Sequence, residues 1–366
     1  MKQRERFLST INREIPDRPP LYISFTPQIA QRLSDYLGRP YEEPIDSLLS
    51  TRISHMKLAM QLGADAIGVA ATAPASRPTE ISDDGLITNE WGMIFQDAGL
   101  YNEFHSFPLA GANSVRDIEK YNFFNPHDDT RFIKAYDTIR QFRQKVGIIA
   151  DLECSIFETA WYLTGLEKFL IDIMLQLPYI DALLDKIAYI NTETGKELIR
   201  AGADVIWCGD DFGTQQSLLM DLKTWQKYFK PRISKMFEEF RTVNPDIKIA
   251  WHSCGAIYDL IPEFIDIGLD ILNPIQPEAS GMEPTRLKKE FGKDLVFFGG
   301  ISIQYLLPNC NPEDIRKEVM RRISILGKGG GYIIAPAHNI QIDTPVENIM
   351  AFIDAVKDHN QDSWTG

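Results

Sequence analysis

Two residues that commonly bind metal ions, His252 and Cys254, lie two positions apart in this sequence, and a second histidine, His338, follows much later. Side chains two positions apart at the end of a strand point to the same side, so an imidazole and a thiolate there can bind one ion. A third ligand from another strand end would give a three-ligand zinc site with one open position, as in catalytic zinc sites. The competing interpretation is that His252 and Cys254 are buried residues with satisfied hydrogen bonds, and so short a motif leaves both open.

Eight short apolar runs predict the strands that would position these residues. They are nearly continuous rather than alternating, as expected for parallel strands covered on both faces. Several follow a Gly-Ala-Asp or similar sequence, in which the glycine ends the preceding helix. The recurring unit predicts an α/β fold of the (β/α)8 TIM-barrel type, although a doubly wound open sheet would give similar local patterns. The runs are Pro20–Phe25, Ala64–Ala70, Val146–Asp151, Ala203–Cys208, Ile247–Trp251, Leu269–Asn273, Asp294–Phe298 and Gly331–Ala335.

One long interval, residues 74–145, interrupts this rhythm. Its stretches Leu86–Phe95 and Gly99–Phe107, with a turn at Asp84-Gly85, predict a small β-hairpin inserted in a loop on the active-site face. We expect Trp91 on this hairpin to line a ligand pocket. No domain boundary is visible, so we predict a single domain over residues 1–366 with a helical lead-in, Glu5–Asn12.

Polar residues follow the predicted strands at their carboxyl ends, where barrels carry their active sites. Asp211 and Glu153 are the candidate catalytic carboxylates, for proton transfer or for orienting a metal-bound histidine. A solvated Gly-Asp-Asp turn explains Asp211 equally well, and Glu158 is a weaker candidate at the start of a helix. The candidate substrate-binding residues at the remaining strand ends are Asp210, Gln276, Gly299, Gly300 and Asn339.

Composition limits the classes of function. The formal net charge of −13 argues against a nucleic-acid partner, because phosphate binding needs clustered Lys and Arg. No apolar run approaches the length of a membrane span, and the N-terminal residues do not resemble a signal peptide. Four scattered cysteines show no disulfide framework, so we expect a cytoplasmic protein.

Ordered motifs along most of the chain resemble the uroporphyrinogen decarboxylase superfamily, which also includes zinc- and cobalamin-linked methyltransferases. The resemblance implies a barrel over the whole chain. The motifs are Pro16-Asp17-Arg18-x-Pro20, Gly209-Asp210-Asp211-x-Gly213, His252-Ser253-Cys254-Gly255, Gly268-x-Asp270-x-Leu272-Asn273-Pro274-x-Gln276, Phe298-Gly299-Gly300, Gly329-Gly330-Gly331-Tyr332-Ile333, Ala335-Pro336-x-His338-Asn339-Ile340 and Pro345-x-Glu347-Asn348.

Two departures from the superfamily's patterns favour one branch. The arginine-bearing signature with which the decarboxylase grips its substrate's carboxylates is missing, since residues 23–27 hold no Arg. The methyltransferase branch uses His-x-Cys and a later Cys as zinc ligands. This chain keeps His252 and Cys254 and has His338 at the later position. The resemblance therefore implies a His2Cys zinc site, whose ion would be a stronger Lewis acid because it carries one thiolate fewer.

The sequence leaves three functions open. The first is a zinc-dependent methyltransferase that moves a methyl group between a small donor, such as a methoxylated compound, or a thiol acceptor and a corrinoid protein. The second is a metal-free decarboxylase-like lyase, in which His338 and Asp211 hold a tetrapyrrole or a smaller acid. The third is a barrel that binds a tetrapyrrole or corrinoid without turnover. The resemblance also implies a homodimer.

Overall fold

Two sheets and a series of helices make up the computed structural model, which describes residues 1–45, 52–99, 102–152 and 154–359. The strands are β1 Ala66–Val69, β2 Glu80–Ile81, β3 Ile87–Thr88, β4 Ile94–Asp97, β5 Asn102–Ser106, β6 Gly147–Asp151, β7 Val205–Gly209, β8 Lys248–His252, β9 Ile271–Asn273, β10 Val296–Ile301 and β11 Tyr332–Pro336. The α-helices are α1 Gln3–Ile11, α2 Pro27–Tyr36, α3 Met56–Leu62, α4 Val115–Lys120, α5 Ile133–Phe142, α6 Phe157–Thr164, α7 Leu166–Met174, α8 Tyr179–Ala201, α9 Leu222–Tyr228, α10 Lys230–Val243, α11 Ile261–Asp266, α12 Pro284–Phe291, α13 Leu306–Asn309, α14 Pro312–Leu326 and α15 Val346–Lys357. Within the described ranges, none of these helices combines the length and apolarity that crossing a bilayer requires.

The main sheet has seven strands in the order β1-β6-β7-β8-β9-β10-β11, and every neighbouring pair is parallel. Helices lie between successive strands, as expected for parallel strands buried on both faces. Each of the seven strands contributes side chains to one interior cluster, so the sheet curls around a common core. Seven of the eight predicted strands are thus confirmed. Their carboxyl ends meet at one edge of the curled sheet, which we call the mouth.

The first predicted strand, residues 20–25, does not form a regular ladder. On one side it pairs with β11 and the residues after it through single bridges, Leu21 to Ile334 and Phe25 to Ile340. On the other side it reaches only the start of β1, where the Asp65 N–H donates to the Leu21 carbonyl at 2.7 Å. The Arg52 backbone lies against one face of β1, since a Cβ on Gly68 would lie 2.7 Å from the Arg52 carbonyl oxygen.

The end of the sheet opposite the mouth is filled by α1, the predicted helical lead-in. Phe7 of this helix is fully buried in the interior cluster together with Ile11. A Cβ on Gly147, at the start of β6, would lie 2.1 Å from the Phe7 ring. The glycine therefore makes room for an aromatic plug at the bottom of the core.

The predicted inserted hairpin is a larger element, a four-stranded antiparallel sheet in the order β2-β3-β4-β5. The turn at Gly85 is present, since its N–H donates to the Ser82 carbonyl at 2.9 Å. The insertion packs against α6 through Phe104, whose ring centroid lies 4.7 Å from that of Tyr162. The alternation of residues 86–95 predicted the position of this sheet, but the very short β2 and β3 gave no separate signal.

Asp65 joins the lead-in helix, the segment before residue 20 and β1. Its carboxylate is fully buried and accepts hydrogen bonds from Arg6 Nη1 at 2.7 Å, Arg18 Nη1 at 2.8 Å and the Leu21 N–H at 2.7 Å. Arg6 also forms an ion pair with Asp17, which lowers the pKa of Asp17 against the effect of desolvation. The Pro-Asp-Arg-x-Pro motif is therefore a structural clamp at the start of the fold.

We predict that Asp65→Ala lowers the free energy of unfolding by about 3–5 kcal/mol, because Arg6 and Arg18 lose a fully buried carboxylate partner and the Leu21 N–H loses its acceptor. Urea unfolding followed by circular dichroism would measure this change. Asp137→Ala is the control, since its ion pair with Arg140 is exposed and should be worth less than about 1 kcal/mol. Equal effects of the two substitutions would contradict the role of Asp65.

Candidate metal centre

Three potential metal ligands converge at the ends of β7 and β8. His252 is the last residue of β8, Cys254 follows two positions later, and Asp211 follows the end of β7. The two strands are in register, with Gly209 opposite His252, so the segments after them start side by side. One atom from each of the three side chains lies within 4.8 Å of the corresponding atoms of the other two. Adjacent parallel strands thus bring together a carboxylate, an imidazole and a thiol.

A hydrogen bond to Asn273 fixes which nitrogen of His252 can bind an ion. The Asn273 Nδ2 donates to the Phe298 carbonyl at 3.1 Å, which leaves its Oδ1 facing His252 Nδ1 at 2.5 Å. Since Oδ1 only accepts, the proton of a neutral imidazole lies on Nδ1. The lone pair of Nε2 is then free on the side of Asp211 and Cys254. Such support from an outer residue is typical of metal-binding histidines.

The spacing of the three groups matches a small ion. Nε2 of His252 lies 3.5 Å from the Cys254 Sγ and 3.5 Å from Asp211 Oδ1. Ligands at about 2.0–2.3 Å from a tetrahedral zinc ion lie about 3.3–3.8 Å from each other. The donor types are also those that zinc accepts. The residues present therefore fit a zinc ion in donor type and in the two distances from His252 Nε2, and the Asp211 and Cys254 donor atoms lie within 4.8 Å of each other.

Glycines allow the two donor-bearing loops to touch. Gly255 has a φ of +90°, and a Cβ there would lie 2.5 Å from the carbonyl carbon of Gly213. The Cys254 N–H donates to Asp211 Oδ1 at 2.7 Å across this contact. The positive φ and the close approach both require glycine. Backbone packing therefore sets the distance between the carboxylate and the thiol.

Desolvation and acidic neighbours dominate the electrostatics of the centre. Desolvation, followed by the Asp211 carboxylate, raises the pKa of the Cys254 thiol. Desolvation, followed by repulsion from Asp211 and Asp210, raises the pKa of Glu158 to about 8. Glu158 accepts hydrogen bonds from the Tyr162 hydroxyl at 2.8 Å and the Asp211 N–H at 3.0 Å. A surplus of carboxyl groups next to a thiol favours the arrival of a cation.

His338 faces the same centre from the end of β11 but stands apart from the three donors. Its ring centroid is 6.1 Å from that of His252, and it is not among the groups within 4.8 Å of one another. Its side chain is exposed to a cleft of about 510 Å³ at the mouth, which Cys254 and Gln276 also line. Desolvation, followed by the nearby His252, lowers the pKa of His338 to about 4, so its imidazole is neutral at physiological pH. In the structure Asp211, rather than His338, is the third donor beside His252 and Cys254. A ligand role for His338 stays a prediction.

The other predicted substrate-binding residues divide into two groups. Gln276 lines the cleft, with its Oε1 accepting the Gly255 N–H at 2.8 Å, and Asn339 borders a small internal cavity next to His252. Asp210 is fully buried and accepts the N–H groups of Ile156 and Glu158, at the start of α6. Its carboxylate therefore stabilises a helix N-terminus rather than facing the cleft.

Gly299 and Gly300 serve the packing of the sheet. Gly299 has a φ of +116°, and a Cβ there would lie 1.9 Å from the Pro274 carbonyl oxygen. The Tyr332 hydroxyl donates to the Gly299 carbonyl at 2.9 Å. The group that comes close to Gly299 is therefore the end of the neighbouring strand. Neither glycine is among the described residues that line the cleft.

Two further candidates lie elsewhere. Trp91 is buried in the insertion, where its indole packs edge-on against Phe124 at 4.8 Å between ring centroids. It is absent from the described lining of the cleft, so the structure does not support its predicted role. Glu153 lies outside the described residues.

Arg52 is a residue of the site that the sequence did not reveal. Its Nε donates to Asp151 Oδ2 at 2.8 Å, and its guanidinium lies 5.1 Å from the centre of the Trp207 ring. It borders an internal cavity of about 20 Å³ that His252 and His338 also line. Arg52 follows no predicted strand and belongs to no recognised motif, so no local signal marked it.

Comparisons with known proteins agree with this architecture. Methylcobamide:CoM methyltransferase MtaA of Methanosarcina barkeri (strain Fusaro / DSM 804) is 25% identical over 229 residues, 62% of this chain and 63% of that protein. Uroporphyrinogen decarboxylase of Pseudomonas fluorescens is 25% identical over 272 residues, 70% of this chain and 73% of that protein. A solved methyltransferase from Methanosarcina mazei has the same fold, with a TM-score of 0.72 at 18% identity over 98% of this chain and 99% of that one.

The extent of these matches defines what they show. The matched segments span 44–63% of the length of three curated methyltransferases. The model of the family described as uroporphyrinogen decarboxylase (URO-D) matches residues 107–359, more than half of the chain. The chain therefore belongs to the uroporphyrinogen decarboxylase family, consistent with its methyltransferase branch, as the ordered sequence motifs predicted.

Proposed function

We propose that this protein is a zinc-dependent methyltransferase that moves a methyl group between a small donor or thiol acceptor and a corrinoid carried by a partner protein. The observation that carries the proposal is the group formed by Asp211, His252 and Cys254, with donor atoms 3.5 Å apart on either side of His252 Nε2. The methyltransferases among the relatives give independent support. As part of the same proposal, residues 20–25 act as the eighth strand and close the curled sheet into a barrel.

The proposed roles follow from the contacts of each residue. Asp211, His252 and Cys254 would hold the ion, and Asn273 keeps the Nε2 lone pair of His252 directed at it. Bound zinc would supply a Lewis acid that polarises a donor's ether oxygen or favours the thiolate form of an acceptor. His338, neutral and open to the cleft, is in position to form a hydrogen bond with the substrate or to join the ligands. The cleft of about 510 Å³ leaves room for a small substrate next to Cys254 and His338.

A metal-free decarboxylase is the weaker candidate. Residues 23–27, which correspond to the decarboxylase's arginine-bearing signature, hold no Arg. Arg52 lies near the site, but its guanidinium is paired with Asp151 through Nε and Nη2. A porphyrinogen with many carboxylates would thus lack cationic partners. A barrel that binds a corrinoid without turnover would leave the convergence of three metal ligands without a role.

We predict close to one zinc ion per chain in protein purified without an affinity tag, and loss of that zinc in His252→Ala and Cys254→Ala, because each removes a donor from a three-ligand site. Elemental analysis of the purified variants measures this directly. His338→Ala decides between the two ligand sets: retained zinc assigns the third position to Asp211, and lost zinc assigns it to His338. Absence of zinc from the unaltered protein, both as purified and after titration, would contradict the proposal.

We predict that Asn273→Ala weakens zinc binding by about 10–100-fold, because the imidazole loses the acceptor that fixes its tautomer and ring orientation. Competition with a chromophoric chelator measures the affinity. Asn348→Ala is the matched control, since this buried amide also donates to backbone carbonyls, those of Leu307 and Cys310, on another part of the fold. Equal loss of affinity in both variants would assign the effect to general destabilisation.

We predict transfer of a methyl group from methylcobalamin to a thiol by the zinc-loaded protein, and a rate at least about 100-fold lower in Cys254→Ala, since loss of a metal ligand removes the Lewis acid. The absorbance change on demethylation of the corrinoid reports the reaction. Asp137→Ala, a surface variant, should retain the full rate. Equal turnover with and without zinc would refute the metal's role.

A further inference from the structure

The cleft that Cys254 and His338 line carries amides rather than positive charges. Four glutamine side chains face it from loops after four different strands, together with the exposed Glu278; the glutamines are Gln215, Gln276, Gln304 and Gln341. Among the described residues that line it, none is Lys or Arg. The segments outside the described ranges, residues 46–51, 100–101, 153 and 360–366, contain no Lys or Arg either.

The basic residues nearest the cleft are already paired with acids. Arg52, beyond the His252 ring, is bound by Asp151. Lys317, Arg321 and Arg322 line a separate depression of about 480 Å³ that shares Glu278 with the cleft. Lys317 pairs with Glu313, and both arginines share Glu318; the three distances are 2.7, 2.7 and 2.6 Å. Asp314 and Glu278 also line the depression, so its three basic side chains are accompanied by three acidic ones.

The floor of the cleft would not attract an anion either. In the proposed site one carboxylate, from Asp211, and one thiolate, from Cys254, balance the charge of a divalent ion. The groups directly behind Asp211, Glu158 and Asp210, are carboxyl groups, so this side of the site supplies no cation either. A carboxylate or sulfonate entering the cleft would lose water without gaining an ion pair, and desolvating an unpaired anion is costly. Amide side chains, in contrast, offer both donors and acceptors to an uncharged polar molecule.

We infer that the substrate of this cleft is an uncharged or cationic small molecule, and that thiols or methyl donors with a carboxylate or sulfonate are disfavoured. This inference rests on the proposed function and narrows it. It separates the chain from enzymes whose thiol is a sulfonate, such as 2-mercaptoethanesulfonate (coenzyme M). The four glutamines then favour an uncharged polar substrate over an anionic one, and Glu278 at the rim adds a preference for cations.

Three thiols of equal carbon-chain length test the inference: 2-mercaptoethanol is neutral, cysteamine is cationic and 2-mercaptoethanesulfonate is anionic. Thiols are suitable probes because thiolate binds zinc whether or not the natural substrate is a thiol. Calorimetric titration of the zinc-loaded protein should show binding of the neutral and cationic thiols at least about tenfold tighter than that of the sulfonate. Zinc content is measured on the same samples, and metal-free protein gives the background.

Gln304→Arg places a cation in the cleft and should strengthen binding of the sulfonate about tenfold relative to binding of 2-mercaptoethanol. Gln304→Met is the matched control for loss of the amide, and comparing each variant with the unaltered protein cancels differences in thiol acidity. Sulfonate binding to the unaltered protein that equals or exceeds binding of 2-mercaptoethanol would overturn the inference and leave the proposed function standing. Equal binding of all three thiols with and without zinc would instead refute the proposed function and the inference with it.

Discussion

The orientation of the His252 imidazole depends on two hydrogen bonds that together link three strands. Asn273, at the end of β9, is held by the Phe298 carbonyl of β10 and in turn accepts the Nδ1 proton of His252 at the end of β8. The donor atom Nε2 is therefore directed by the register of the whole parallel sheet, not by the loop that carries the cysteine. A shift of any of the three strands by one residue would turn a side chain to the opposite face and remove this support.

The sequence was sufficient to predict the parts of the site that follow from strand periodicity. Parallel strands share an edge, so the ends of β7 and β8 had to meet, and His252, Cys254 and Asp211 were predicted at that edge. Strand periodicity could not predict the distances between side chains that reach the mouth from different strands. Residue 338 follows a strand end as residue 211 does, but only the three-dimensional packing decides that Asp211 lies 3.5 Å from the His252 Nε2 while His338 stands farther off.

The misplaced predictions have physical reasons as well. Asp210 and Asp211 are adjacent, and alternation predicts that one faces the site while the other caps the next helix; the helix that Asp210 caps is α6, which precedes β7 in the chain. Trp91 was expected near a ligand because of its position on the insertion, yet large aromatic rings lose most by remaining in water, and this one packs against Phe123 and Phe124. The first strand, residues 20–25, has the predicted extended course but pairs with β11 only through single bridges, at Leu21 and Phe25, for which strand periodicity gives no signal.

The contact between Gly213 and Gly255 has a consequence for the size of ion the centre accepts. No side chain separates the two backbones, so the loops cannot move closer, and the hydrogen bond from the Cys254 N–H to Asp211 resists their separation. A donor set held in this way is preorganised before the ion arrives, and little conformational entropy is lost on binding. It is also rigid towards expansion. A larger cation such as calcium, which needs six to eight oxygen ligands at about 2.3–2.6 Å, would find too few donors and too little room.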